Sequence, residues 1–154
     1  MHIGDIVKLN NIIFNIDYKN GKMINKKSID HAFDSGRPCI YIGEHNENMY
    51  FISLSNSSIN SKHFLEPNKT NGLTKVCQAN VKEIIKRPIA FYESIGYLTD
   101  KDMFEIYKTL KSFHKKRDFE NRKAVMYLSN KYIRAYENGL VKYVDDEGII
   151  IKKK

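Results

Sequence analysis

Alternating apolar and polar runs mark the first part of the chain. Positions 4–10 and 12–18 are rich in β-branched and aromatic residues, and an Asn-Gly pair at 20–21 follows them. Such runs favour strands, and Asn-Gly is a strong signal for a tight reversal. The chain is therefore predicted to open as a strand or a hairpin.

Two longer runs, at residues 38–44 and 48–55, flank a short polar turn. This composition predicts a central hairpin, and residues 73–85 return as one more strand. The segments at 24–36 and 56–72 are mostly polar and have no clear period. We expect a loop or short helix in the first and a long exposed loop in the second, both able to close a groove at one end of the sheet.

The period changes after residue 98. Thr99 stands three residues before Asp102, which is typical of a helix start, and apolar residues then recur at spacings of three and four. A second run of this kind covers about residues 119–138 and ends at Gly139, a residue that favours helix ends. The two predicted apolar stripes are Met103, Ile106, Leu110 and Phe113, then Val125, Leu128, Tyr132 and Ala135 or Tyr136.

Strands followed by helices predict an α+β domain whose antiparallel sheet curls into a small barrel. We expect one domain over residues 1–154, with the barrel at about 1–95, the helices at about 99–138 and a short C-terminal hairpin at 140–151. The composition suits one core, because 42% of the residues are hydrophobic and 12% are aromatic.

The charge of the chain favours a polyanionic partner. There are 26 Lys and Arg against 18 Asp and Glu, a formal net charge of +8. Residues 78–154 hold 17 of these cations and 11 of the acids, so most of the excess lies in the second half. Nucleic acid is a better match than an acidic membrane surface, and we expect the second half to contact it.

Membrane insertion and disulfide chemistry are not expected. The apolar runs are shorter than the roughly 20 residues that cross a bilayer, and the first ten residues lack the pattern of a secretory signal. We therefore expect a cytoplasmic protein without a membrane partner. Cys39 and Cys77 each lie in an apolar run without a metal-binding spacing, which predicts two buried reduced thiols.

Four motifs, in this order, resemble the PemK/MazF family of endoribonuclease toxins. They are GDIVKLN at residues 4–10, SGRPCIYIGE at 35–44, FISLSNS at 51–57 and IGYLTDKDMFEIYKTL at 95–110. The basic second half, the extra C-terminal helix and the lack of proline in FISLSNS look more similar to the type III branch, the ToxN/AbiQ/CptN-like toxins. The resemblance implies an SH3-like, MazF-like antiparallel β-barrel core with C-terminal helices.

The resemblance also implies an activity and a partner. It implies a sequence-specific endoribonuclease that needs neither metal nor cofactor and cleaves single-stranded RNA to 2′,3′-cyclic phosphate and 5′-hydroxyl ends. Such a toxin of a type III toxin–antitoxin system, a kind linked to phage abortive infection, is inhibited by a structured, pseudoknot-like antitoxin RNA in a closed protein–RNA assembly. The matching catalytic positions are Arg37, before a proline, and Ser55, at the end of the next strand.

These residue types suit that chemistry. Cleavage through the 2′-hydroxyl of RNA itself needs proton transfer and stabilised charge on the phosphate, but no enzyme nucleophile. The Arg37 guanidinium matches two phosphate oxygens, and Ser55 can donate one further hydrogen bond. The type II pattern has proline and threonine where this chain has Ser53 and Ser55, so Ser53, Ser57 or Ser58 could supply the hydroxyl instead.

Histidine is the side chain best suited to the proton transfers, because it titrates near neutral pH. His31 and His63 flank the Arg37–Ser55 pair in the sequence and are the candidates. Each could equally be an ordinary surface histidine. His45, in the turn of the central hairpin, is expected to point away from the site.

RNA binding is predicted on two basic groups. Four cations and an aromatic ring at helical spacing can follow a phosphate backbone and stack on a base, although a solvated helix face gives the same pattern. A smaller group lies in the loops beside the site. The first group, on one face of the second predicted helix, is Lys116, Lys123, Tyr127, Lys131 and Arg134, and the second is Lys26, Lys27 and Lys62.

Two other functions fit the same sequence. A non-catalytic RNA-binding module would use the basic helix and would not need Arg37 in a fixed geometry. A small SH3-like adaptor, or a type II MazF-like toxin, would instead bind a peptide or the tail of a protein antitoxin along an apolar groove. The type II toxin would also cleave RNA, the RNA-binding module would bind RNA without cleaving it, and the adaptor would do neither.

Overall fold

The computed structural model describes residues 1–9, 16–19, 22–24, 38–55, 63–117, 121–140, 142–144 and 150–152. The described strands are β1 (Asp5–Lys8), β2 (Ile16–Lys19), β3 (Lys22–Ile24), β4 (Pro38–His45), β5 (Asn48–Ser55), β6 (Gln78–Pro88), β7 (Ser94–Tyr97), β8 (Lys142–Val144) and β9 (Ile150–Lys152). The described helices are α1 (Asp100–His114) and α2 (Arg122–Glu137). No described helix has both the length and the apolar character that a membrane span requires.

Strands β1 to β7 form one antiparallel sheet in the order β3-β2-β6-β5-β4-β1-β7. The fold is therefore α+β, as predicted. In the described part of the chain the sheet is open, with β3 and β7 at its two edges, so closure into a barrel stays a prediction. Strands β8 and β9 pair separately, at the position of the predicted C-terminal hairpin.

The central strands are apolar on both faces, which explains why β4 and β5 are almost continuous hydrophobic runs. Alternate residues of a strand point to opposite faces. Ile40 and Ile52 belong to the cluster that includes the buried faces of both helices, whereas Cys39 and Phe51 belong to a second cluster on the other side of the sheet. Burying a side chain of this size contributes about 2 kcal/mol.

Both helices form where the sequence pattern places them. The Thr99 hydroxyl accepts a hydrogen bond from the Asp102 backbone N–H at 3.1 Å, which confirms the predicted cap. The buried residues of the two stripes include Met103, Ile106 and Leu110 on α1 and Val125, Leu128 and Tyr132 on α2. Both cysteines are buried thiols, as expected.

The second helix begins at Arg122, three residues later than predicted. The reason lies at the end of α1, where carbonyl groups have no partner within the helix. The Arg122 guanidinium donates to the carbonyls of His114 at 2.9 Å and Lys115 at 2.8 Å. These bonds fix the corner between the helices.

The second half of the predicted long loop is more structured than expected. Leu65 forms an isolated bridge with Cys77, and Asn71 is only 2% exposed. The Asn68 side chain accepts from the backbone N–H groups of Thr70 and Asn71, and the Asn71 side chain accepts from Leu73 N–H. Asparagine side chains replace secondary structure here by pairing with nearby backbone groups.

A bulge in β4 sets the position of α2. The pairing of β4 with β5 shifts between Tyr41 and Gly43, and the Tyr107 hydroxyl donates to the Ile42 carbonyl within this bulge. Gly43 has a φ of 131°, and a Cβ placed there would lie 2.7 Å from Leu128 Cδ2. Leu128 of α2 therefore packs directly against Gly43, where an added side chain would crowd it.

Candidate functional site

The predicted catalytic serine lies where the central hairpin opens. Ser55 is the half-buried last residue of β5, and Cys39 in β4 pairs with Ser53. The antiparallel register thus brings the end of β5 beside Pro38, the first residue of β4. Arg37 is the residue immediately before Pro38 in the sequence, but it lies outside the described residues.

The hydroxyl of Ser53, which could replace that of Ser55, is fully buried. Its Oγ donates to Glu83 Oε2 at 2.6 Å, and Glu83 itself is only 8% exposed. In this arrangement the Ser53 hydroxyl supports the interior of the sheet, and it would have to leave Glu83 to reach a substrate. Ser57 and Ser58, the remaining candidate hydroxyls, lie outside the described residues.

Sequence reasoning missed the buried charged residues of β6. Glu83 and Arg87 are 8% and 2% exposed, and Ile85 between them belongs to the cluster on the sheet face away from the helices. The signal was present, because a period of two places residues 83, 85 and 87 on one face. Burying a charged side chain costs free energy unless partners compensate its charge.

Of the two histidine candidates, His63 lies within the described residues and His31 lies outside them. His63 Nε2 is 3.0 Å from Asp102 Oδ1, and the two side chains are 29% and 30% exposed. A carboxylate in this position fixes the orientation of an imidazole ring. Asp102 was recognised in the sequence only as part of a helix cap, since its partner lies 39 residues away.

The outer face of α2 carries most of the predicted RNA-binding group. Lys123, Tyr127, Lys131 and Arg134 are all exposed on successive turns, and Tyr127 is 50% exposed. Lys131 Nζ lies 5.8 Å from the centre of the Tyr127 ring. We call these four residues the α2 stripe; three fixed cations and a ring on one face can follow a phosphate backbone.

The remaining RNA-binding candidates lie off this face. Lys116 was wrongly placed on the second helix: it is an exposed residue in the turn after α1, because α1 ends at His114 and α2 begins only at Arg122. Lys26, Lys27 and Lys62 lie outside the described residues.

A cleft of about 900 Å³ adjoins the α2 stripe. It lies between the N-terminal residues, the turn of the central hairpin, the segment before α1, and α2. Its polar or aromatic lining residues are His2, Asp5, Tyr41, Glu44, His45, Asn46, Glu47, Tyr97, Asp100, Lys131 and Tyr132. Lys131 therefore belongs to both the stripe and the cleft.

The cleft and Ser55 lie at opposite ends of the central hairpin. β5 runs from Asn48, next to the turn, to Ser55, and seven steps of about 3.3 Å give roughly 23 Å between these ends. His45 lies at the cleft end, with its ring centre 4.9 Å from that of Tyr127. The sequence expectation that His45 lies away from Ser55 is confirmed.

Tyrosines connect the base of the cleft to the core. The Tyr132 hydroxyl donates to Asp100 Oδ1 at 2.6 Å, and its ring stacks on Tyr107 with centres 4.6 Å apart. Burial, together with the carboxylates of Glu44 and Asp5, raises the pKa of Tyr41. Largely buried tyrosine rings and nearby carboxylates therefore form part of the cleft.

Residue positions and distances define these surfaces. In comparisons with known protein families, curated proteins and solved structures, the chain matches none of them.

Proposed function

We propose that this protein is a metal-independent endoribonuclease toxin that cleaves single-stranded RNA and is held inactive by a structured antitoxin RNA. In this proposal the sheet corresponds to a MazF-like barrel, and the protein acts in the cytoplasm as part of a type III toxin–antitoxin system. Arg37 stabilises charge on the scissile phosphate and Ser55 donates one hydrogen bond to it. His63 or His31 transfers the proton.

The observation that carries the proposal is the hairpin register. It brings the end of β5, with its half-buried hydroxyl, beside the first residue of β4, which follows Arg37 in the sequence. The proposal has the Arg37 guanidinium and the Ser55 hydroxyl act together there, which suits transesterification because the protein mainly stabilises phosphate charge in that reaction. The exposed α2 stripe supports RNA as the partner.

Cleavage of RNA in the presence of EDTA tests the proposal. Protein freed of co-purifying RNA by high salt is expected to produce 2′,3′-cyclic phosphate and 5′-hydroxyl ends, identified by end mapping. Arg37→Ala is expected to lower the rate about 100-fold or more, because one preorganised donor to a developing charge is worth that much.

Arg37→Lys is the matched control, since it keeps the charge and loses the planar pair of donors. A rate between those of the wild type and Arg37→Ala would assign a role to the guanidinium fork itself. Wild-type protein that leaves RNA uncut after stripping, or an Arg37→Ala variant with full activity, would contradict the proposed site.

The α2 stripe gives a separate prediction about binding. Single-stranded RNA with 2′-O-methyl groups cannot be cleaved through its 2′-oxygen, so its affinity reports binding alone. Arg134→Ala is expected to reduce the slope of log affinity against log salt by about 0.7, because each lost phosphate contact releases one fewer counterion. Lys101→Ala, on the exposed side of α1, should leave the slope unchanged; equal effects of the two substitutions would refute the stripe.

A non-catalytic RNA-binding module is the second candidate. It is favoured by the burial of Ser53 against Glu83, which removes one hydroxyl from the presumed site, and by the half-exposed ring of Tyr127. This protein would bind the 2′-O-methyl RNA with the predicted salt dependence and cut no RNA. The cleavage and binding measurements together therefore separate the two candidates.

A further inference from the structure

We infer that the cleft beside α2 is a pocket for one unpaired RNA base, with a preference for guanine read by Glu44. This inference rests on the proposed interaction with RNA, and it adds a recognition site that lies away from the proposed cleavage site. Three features support it: the position of the cleft, the chemistry of its walls and the identity of its charged groups.

The position of the cleft connects it to the phosphate-binding surface. Lys131 belongs to the α2 stripe and also lines the cleft. His45, another lining residue, contacts the ring of Tyr127 on the stripe. A strand whose phosphates follow the stripe would thus pass the mouth of the cleft, where one base could leave the stack and enter.

The walls suit an aromatic ligand with a polar edge. Tyr97 and Tyr132 contribute aromatic surface, and Leu98 and Leu128 contribute apolar surface. Unpaired bases are typically held by stacking on such rings and by hydrogen bonds to their Watson–Crick edge. A volume of about 900 Å³ is ample for one nucleotide.

The charges exclude a phosphate and select the base. Among the described residues that line the cleft, four side chains carry carboxylates, those of Asp5, Glu44, Glu47 and Asp100, against one fixed side-chain cation, that of Lys131. Phosphate would be repelled from the interior of such a cleft. A base enters instead, and its N–H groups are attracted because ionised carboxylates only accept hydrogen bonds.

Glu44 is the carboxylate best placed to read that base. Asp100 is largely buried and already accepts from Tyr132, and Asp5 accepts from the His2 backbone N–H at 2.9 Å. Glu44 and Glu47 are both exposed lining residues, but Glu44 is held in β4 by its pairing with Met49, whereas Glu47 lies in the hairpin turn. Its two oxygens can accept the adjacent N1–H and N2–H of guanine, whereas uracil offers only one N3–H, between two oxygens that the carboxylate repels.

The test uses short 2′-O-methyl oligouridines that differ in a single central base. Wild-type protein stripped of RNA is expected to bind the oligonucleotide with one guanine about tenfold more tightly than the all-uridine one, measured by fluorescence anisotropy. Glu44→Gln is expected to reduce this ratio to about twofold or less. Glu66→Gln, an exposed glutamate in a loop outside the cleft, should keep the full ratio.

The outcomes separate this inference from the function on which it rests. Equal, salt-dependent affinity for all four central bases would overturn the guanine pocket and leave RNA binding intact. A guanine preference that survives in Glu44→Gln would overturn the assignment of Glu44. Absence of binding to every oligonucleotide at low salt would overturn both the pocket and the proposed RNA partner.

Discussion

Stability is expected to fall steeply above pH 10, because two buried tyrosines keep their protons in the folded state. Tyr107 is fully buried and donates to the Ile42 carbonyl, and Tyr132 is 6% exposed and donates to Asp100. Burial raises the pKa of Tyr107 well above its usual value of 10.0. Burial and the hydrogen bond to Asp100 also raise the pKa of Tyr132 far above 10.0.

The direction follows from proton linkage. Below pH 10 the folded and unfolded chains both hold these phenolic protons, so the stability is complete. Above pH 10 the unfolded chain releases them and the folded chain does not. Each pH unit then lowers the free energy of unfolding by about 1.4 kcal/mol per tyrosine, or about 3 kcal/mol for the pair.

Urea unfolding measured by circular dichroism at a series of alkaline pH values tests this expectation. Tyr107→Phe should lower the stability at neutral pH by about 2 kcal/mol, since the Ile42 carbonyl loses its donor, and should reduce the alkaline slope by about 1.4 kcal/mol per pH unit. Tyr127→Phe is the control, because Tyr127 is half exposed. Phenolate absorbance from all 10 tyrosines near pH 10, before unfolding, would contradict the prediction.

The elements that the sequence predicts well are those in which local chemistry and tertiary packing agree. The helix start at Thr99 depends on residues three positions apart, and the apolar stripes of both helices depend on spacings of three and four. The central hairpin follows from two apolar runs and a polar turn. Asn46 and Glu47 adopt positive φ angles of 49° and 65° in that turn, as a tight hairpin requires.

Features that depend on distant residues were not predictable from such patterns. Ser53 meets Glu83 and His63 meets Asp102 across separations of 30 and 39 residues. The start of α2 depends on a guanidinium that caps another helix. None of these contacts leaves a periodic signal, because each is decided by which side chain the completed fold places nearby.

The candidate site likewise has one part that the sequence predicts and one part that it does not. Ser55 could be placed at the end of a strand from the sequence, since strand and turn boundaries are local. The cleft could not, because its walls come from the N-terminal residues, the hairpin turn, the segment before α1 and α2. No sequence pattern distinguishes the acidic residues of the cleft from other surface charges.

Replacing Gly43 is expected to destabilise the contact between the central hairpin and α2 beside the cleft. Gly43→Ala would place a Cβ 2.7 Å from Leu128 Cδ2, on a backbone with a φ of 131° that L-residues rarely adopt. Backbone strain costs between about 1 and 3 kcal/mol, and displacement of the Leu128 methyl, at the end of a flexible side chain, adds a smaller overpacking cost. We expect the free energy of unfolding, measured with urea, to fall by about 3 kcal/mol.

Two further variants separate the causes. Gly139→Ala, at another glycine with positive φ, beyond the end of α2, should cost only about 1 kcal/mol, because it tests conformation without this contact. Leu128→Ala removes the clashing methyl, so the double variant with Gly43→Ala should be less destabilised than the sum of the single variants. Strict additivity would show that Leu128 is not the obstacle.

The same substitution also distinguishes the α2 stripe from the cleft, the two surfaces proposed to contact RNA. A displaced α2 keeps its own cations, so in the absence of urea the folded Gly43→Ala protein should retain the salt dependence of RNA binding. The cleft, in contrast, depends on how α2 lies against the hairpin turn, because Lys131 and Tyr132 of α2 line it together with Glu44 and His45. We therefore expect the guanine preference to fall toward that of Glu44→Gln; a preference that persists undiminished would mean that the base is read elsewhere.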